Sequence, residues 1–191
     1  MHHLNPLYPV FLKTNRLNFL IVGGGNVALE KLEFLYKSSP NTSVHIIATM
    51  VREETNSFIQ DKDVHVDLKP YELKDLEGKN IVIACTDNPE LNEQIQKDCR
   101  QKGILVNVAD CPEWCDFYMG GIVTKGNLKI AISTNGKSPT LAKRIRQWLE
   151  AVIPEEVDEL LDTLQNYRAT LKDDFAHKVK EMNSITKSLL P

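Results

Sequence analysis

The sequence predicts an α/β fold: a doubly wound parallel sheet, a small α+β region after it, and a helical C-terminal region. Three observations carry this. Up to Asp110, short apolar runs alternate with stretches of helical periodicity, the pattern of a parallel sheet covered by helices. A triple glycine directly follows the first apolar run. Beyond Asp110 the pattern changes to two short strands and then helices only. The expected organisation is a doubly wound sheet domain over residues 1–112, a small α+β region over 113–150 and a helical region over 151–191.

Leu17–Val22 reads as the first strand, buried on both faces because its apolar residues do not alternate with polar ones. A helix follows from Asn26, with Val27, Leu32, Leu35 and Tyr36 as its apolar stripe, and stops near Ser39-Pro40. Val44–Ala48 is the second strand, and residues 52–60 form a polar helical stretch. Val64–Leu68 alternates, which places it nearer a sheet edge. Ile81–Ala84 and Ile104–Val108 are the fourth and fifth strands, both read as buried, separated by a helix from Pro89 to Lys102 that Gly103 closes. Right-handed crossovers then give a sheet whose ligands bind beyond the carboxyl ends of its strands. Phe117–Val123 and Leu128–Ser133 read as strands joined at Lys125-Gly126-Asn127. Helices follow over Pro139–Val152, Glu155–Lys172 and Asp174–Leu189, with Pro154 dividing the first two.

Composition narrows the partners. Lys and Arg number 23 against 26 Asp and Glu, a net charge of -3, so nothing pulls the whole chain towards nucleic acid and an anionic ligand needs a local basic cluster. No apolar run is long enough to span a membrane and the first residues do not read as a signal peptide, so a cytoplasmic location is expected. Cys85, Cys99, Cys111 and Cys115 form no Cys-x-x-Cys pair and are expected as thiols. Cys111 and Cys115 with a distant histidine make only a weak metal set, and His45 and His65 read as packing or surface residues, so no metal ligand is assigned.

Gly23-Gly24-Gly25-Asn26-Val27-Ala28 fits Gly-x-Gly-x-x-Ala between a strand and a helix. Gly23 permits the tight turn, Gly25 admits a pyrophosphate to the backbone, and Ala28 lets helix and strand pack closely. The helix start supplies free N–H groups for the phosphates. The bland reading is a glycine turn that merely packs a helix on a sheet. The second strand, however, ends in Ala48-Thr49-Met50 with no acid for the ribose hydroxyls. Arg52 suggests a 2′-phosphate contact, although a solvated arginine is the simpler account.

Cys85-Thr86-Asp87-Asn88 forms a polar tip at the same edge, where Asp87 or Asn88 also suits a helix cap. Asn107-Val108-Ala109-Asp110 ends the fifth strand there; Asp110 could take a proton as a hydride leaves a substrate, and is equally a turn residue. Ser133-Thr134-Asn135-Gly136-Lys137-Ser138-Pro139 leads into a helix with Ser138 as N-cap. Lys137, Lys143, Arg144 and Arg146 add the local positive charge that a substrate with several carboxylates requires, and serve equally as solvated surface residues.

Together these segments, with Cys115-Asp116-Phe117-Tyr118, resemble the precorrin-2 dehydrogenase/sirohydrochlorin ferrochelatase family, which includes the N-terminal part of siroheme synthase. The resemblance runs from about Pro6 to Glu150. It implies a Rossmann-like NAD-binding domain over residues 1–112, a dimerisation and substrate region over 113–150, NAD as hydride acceptor, a homodimer, and oxidation of the tetrapyrrole precorrin-2 to sirohydrochlorin in siroheme biosynthesis. Some members also insert ferrous iron. The cofactor would contact Gly23, Gly25, Asn26, Val27, Ala28, Thr49, Met50, Thr86 and Asp87. Asp110 would be the catalytic acid/base, and Asn107, Ser133, Asn135, Lys137 and Ser138 would meet the tetrapyrrole. The methyltransferase region of the trifunctional members has no counterpart here, so methylation is expected from another protein. The competing readings are a nucleotide-sensing module without catalysis and a dehydrogenase acting on another small acid.

Overall fold

The structure is a computed structural model that describes residues 5–171 and 174–187. The ends expected for the last two helices at Lys172 and Leu189 lie outside the described residues. The chain divides into two compact units between Met119 and Gly120.

The first unit holds a five-stranded parallel sheet: β1 (Phe19–Val22), β2 (Val44–Ala48), β3 (Val64–Leu68), β4 (Ile81–Ala84) and β5 (Leu105–Val108). Their spatial order is β3-β2-β1-β4-β5, so the chain reverses direction across the sheet after β3. Helices α1 (Asn26–Ser38), α2 (Glu53–Ile59) and α3 (Pro89–Lys102) cover it. Alternate residues of each strand serve opposite layers. Phe19, Ile21, Ile46, Ile81 and Ile83 pack with Leu32, Leu35 and Tyr36 of α1. Leu20, Val22, Ile47, Val82, Val106 and Val108 pack with Ile95 and Cys99 of α3. Because both faces are filled, β1 and β4 are buried at every residue, which is why their sequences do not alternate.

Local chemistry sets the element ends. Asn88 Oδ1 accepts from the Leu91 N–H with Pro89 at the first helical position, and Gly103 closes α3 at φ 66. Tyr36 at the end of α1 donates to the Thr42 and Asp63 carbonyls, tying the helix to the entries of β2 and β3, and burial pushes its phenol to about 12.

Two expectations are refined. β3 and β5 are the sheet edges, and Leu105 on β5 is exposed. The outer edge of β5 is nevertheless satisfied, because Val106 donates to the Asp116 carboxylate and the Asp116 N–H donates back to the Val106 carbonyl. The strand expected over Phe117–Val123 begins instead at Gly121. Phe117 and Met119 pack on the core of the first unit, which holds this stretch out of a hairpin.

The second unit contains an antiparallel hairpin, β6 (Gly121–Lys125) with β7 (Leu128–Ile132), and helices α4 (Pro139–Val152), α5 (Val157–Thr170) and α6 (Phe175–Thr186). Ser138 Oγ caps α4 by accepting from the Leu141 N–H. Asp158 at the start of α5 accepts from the Asn127 backbone, and Lys125 pairs with Glu155 just before the α5 cap, so the entry to α5 anchors the hairpin.

Candidate functional site

The glycine turn lies between β1 and α1, at the carboxyl edge of the sheet. Gly23 has φ +126, and a Cβ there would stand 2.6 Å from the Cys85 carbonyl oxygen at the end of β4, so the turn closes only without a side chain. Gly24 is equally confined, because its Cβ would run into the Met50 carbonyl beyond β2. Gly25 differs, with nothing within 4 Å of a Cβ built on it. As the N-cap of α1 it faces open space beside the unpaired N–H groups of the helix start, and a pyrophosphate fits such a cradle. Ala28, one turn on, is fully buried against the sheet. Asn26 is exposed and Val27 half-buried at the helix start.

Around this turn, Thr49 and Met50 emerge from the end of β2 as exposed residues. Arg52 begins α2, its backbone N–H on the Gly24 carbonyl and its guanidinium beside Glu54. At the β4 tip, Thr86 is held by Asn92 through both its N–H and its hydroxyl, and Asp87 is exposed. Asn92 is a polar residue of α3 that the sequence reading overlooked, since its role depends on α3 lying under that tip.

At the end of β5, the Cys111 N–H closes a turn on the Val108 carbonyl, and Asp110 sits in that turn, exposed, at φ 60. Among the described residues only Asp110 and Asn135 carry positive φ without being glycine. Such conformations cost of order 1–3 kcal/mol and concentrate at ligand sites. Cys115 stabilises the Asp110 turn from below: its sulfur accepts from the Val108 N–H at 3.2 Å and its thiol lies 3.2 and 3.3 Å from the Val108 and Cys111 carbonyls. Burial pushes the Cys115 thiol upward, which keeps it protonated and able to donate. Asn107 is buried, with its amide donated to Phe117 O and to the Cys115 sulfur, so it braces this edge from within.

In the second unit, Ser133 Oγ accepts from the Asn135 N–H, Thr134 Oγ1 accepts from the Ser138 N–H, and Ser138 caps α4. Asn135 and Gly136, at φ 53 and 74, wind the chain into the helix, leaving Ser133 and Lys137 exposed. Arg146 pairs with Glu150, and Arg144 donates to Gln147. A cleft of about 430 Å³ between α5 and α6 is lined by Gln165, Arg168, Phe175 and Lys178, none of which belongs to these segments.

A parallel sheet in this order, with a glycine turn opening onto a helix start at its carboxyl edge, defines a protein of the dinucleotide-binding Rossmann class. Comparison with known proteins agrees. The family described as Putative NAD(P)-binding matches residues 10–121, and the one described as Sirohaem biosynthesis protein central matches residues 125–151. The chain therefore belongs to the NAD(P)-binding family, in the group that carries the sirohaem-biosynthesis central region. The siroheme synthase of Psychrobacter sp. (strain PRwf-1) is 35% identical over 189 residues, covering 92% of this chain and 38% of its own. That of Nitrosococcus oceani is 34% identical over 164 residues, covering 86% and 35%. The chain thus spans little more than a third of these relatives. A solved structure of SirC, precorrin-2 dehydrogenase, superposes with a TM-score of 0.76 at 22% identity, covering 94% of this chain and 89% of that one, which establishes the shared fold. No helix among the described residues is long and apolar enough to cross a membrane.

Proposed function

We propose that this chain is an NAD-dependent dehydrogenase that oxidises precorrin-2 to sirohydrochlorin, and that it serves siroheme biosynthesis. The observation that carries this is Asp110, an exposed carboxylate held at φ 60 beyond β5, at the strand edge that carries the open Gly25 cradle. The names of the relatives and of the structural neighbour supply the substrate class.

Bound NAD would supply the hydride acceptor. Gly23, Gly25, Asn26, Val27 and Ala28 would hold its pyrophosphate, Thr49 and Met50 its adenosine side, and Thr86 and Asp87 the nicotinamide side. The Arg52 guanidinium is engaged by Glu54 instead of standing free for a 2′-phosphate, and on that ground we assign NAD over NADP. Precorrin-2 loses a hydride and a proton, giving sirohydrochlorin, NADH and H⁺. Asp110 accepts that proton, directly or through water. We assign contacts with the substrate carboxylates to Ser133, Asn135, Lys137 and Ser138, with Asn107 shaping the Asp110 edge. Asp110 is also our candidate to accept pyrrole N–H protons when ferrous iron, as substrate, replaces two of them.

We further propose a homodimer through the second unit. Leu141, Trp148 and Val152 recur along one face of α4 and are all at least half exposed, a stripe suited to a second copy. The four free cysteines fit a reducing cytoplasm.

The test is anaerobic absorbance with enzymatically generated precorrin-2 and NAD, followed by ferrous iron. NADH and sirohydrochlorin should appear one for one, with Asp110→Asn slower by about 10²–10⁴-fold at unchanged NAD affinity. NAD binding without NADH formation would favour a nucleotide sensor. Iron uptake no faster than without protein would remove the second activity.

A further inference from the structure

We propose that His45, His65 and Asp67 bind a divalent transition-metal ion of the zinc class on the outer half of the parallel sheet, away from the dinucleotide edge. His45 and His65 are register partners on β2 and β3, with ring centroids 5.0 Å apart. Asp67 lies two residues beyond His65, on the same face of β3. One ligand atom from each residue falls within 4.8 Å of the other two. The Asp67 carboxylate already bridges the imidazoles, with Oδ2 3.0 Å from His45 Nε2 and Oδ1 3.1 Å from His65 Nε2. An ion at this bridge replaces protons on two nitrogens that both aim at one carboxylate, giving two imidazoles and an oxygen ligand, a set that suits zinc and its neighbours.

The fold explains why such a cluster stands here. The crossover from β3 to β4, residues 69–80, contains a 3₁₀ turn at Leu73–Leu76 and no α-helix, so this crossover lays no helix over the outer end of the face. His45 keeps 18% of its side chain exposed, Asp67 40% and His65 73%, which leaves a path for an ion and room for water ligands. All three sit on paired strands, so their spacing is held by the sheet ladder. His45 and His65 are second residues of their strands, in the half away from the carboxyl ends. The inference is therefore independent of the function proposed for the dinucleotide edge.

Lys79 defines how the site would be controlled. Its Nζ lies 3.0 Å from His45 Nδ1, so the ammonium donates there and places the imidazole proton on Nε2. Metal binding at Nε2 moves that proton to Nδ1 and displaces Lys79, which lies within electrostatic range of Asp75. Lys79 thus competes with the metal for the tautomer of His45.

Equilibrium dialysis of the full chain against zinc chloride tests this, with thermal unfolding alongside. Because thiols and His2-His3 also take zinc, the readout is the difference between wild type and variants. His65→Ala and Asp67→Asn, both at exposed or half-exposed positions, should each weaken one zinc equivalent by at least about tenfold and reduce the zinc-induced rise in Tm. Lys79→Met should tighten that equivalent. Zinc binding and Tm shifts identical in wild type, His65→Ala and Asp67→Asn would overturn the proposal and leave the cluster as a hydrogen-bonded cover for the sheet edge.

Discussion

The two units of this chain reach their folds by different means. Of the hydrophobic residues buried among the described ones, all but Val123 and Ala142 belong to the first unit. There a sheet filled on both faces places each strand between two apolar layers, so every element has one position in which its buried pattern is satisfied. The second unit is held by a hairpin, a cap and surface ion pairs, while Trp148, Leu141, Val152 and Phe175 stay half or more exposed. A unit with so few buried side chains gains little from burial within its own chain, and its exposed apolar stripe is the surface we assign to a second copy.

The largest contrast is in core deletion. Leu32→Ala, at a fully buried site on α1, should cost about 2–5 kcal/mol of unfolding free energy. Trp148→Ala should change monomer stability by less than about 0.5 kcal/mol, yet weaken self-association measured by sedimentation. A large loss of monomer stability from Trp148→Ala would mean that this face of α4 packs within the chain, and the comparison would fail.

Glycines sharpen the same point at smaller magnitude. Gly23→Ala combines left-handed strain with a backbone clash and should cost at least about 3 kcal/mol. Gly136→Ala, at φ +74 with nothing within 4 Å, meets strain alone and should cost about 1–2 kcal/mol. Gly25→Ala should leave the unfolding midpoint nearly unchanged while weakening NAD binding by calorimetry, because the open space it fills is the one we assign to the pyrophosphate.

Next comes Cys115→Ala, which strands the Val108 N–H and should cost about 1–3 kcal/mol, with Cys115→Ser recovering part of it. If Cys115→Ala also lowers kcat without raising the KM for NAD, the thiol acts through the Asp110 turn. The mildest test is alkylation. Burial pushes the Cys85 and Cys99 thiols to about 12, so at pH 8 roughly one in ten thousand is ionised and both should resist iodoacetamide until unfolding. Their labelling should rise with pH as thiolate appears. Rapid labelling of Cys99 in native protein would show that the α3 layer opens.

Legibility followed the same division. The bounds of β2, β3, β4 and α3 match the apolar runs and caps read from the sequence, because alternation, its absence, and Asn88, Pro89 and Gly103 are local signals. The start of β6 was misplaced at Phe117, since an apolar segment does not announce which unit will bury it. Asn92 under Thr86, Cys115 under Val108 and the His45-His65-Asp67 cluster were beyond sequence reading, because each joins residues whose neighbourhood depends on strand register or helix placement.

By itself the sequence determined the α/β class, the glycine turn at the head of α1, and the family resemblance. These depend on periodicity, local backbone freedom and residue order. Only the tertiary structure decided that Gly25 opens on space while Gly23 is walled by Cys85, that Asp110 is held in a left-handed turn from beneath, and that an uncovered crossover leaves two histidines sharing one carboxylate. Those facts rest on which atoms meet across the sheet, and that is settled by register and packing, not by composition.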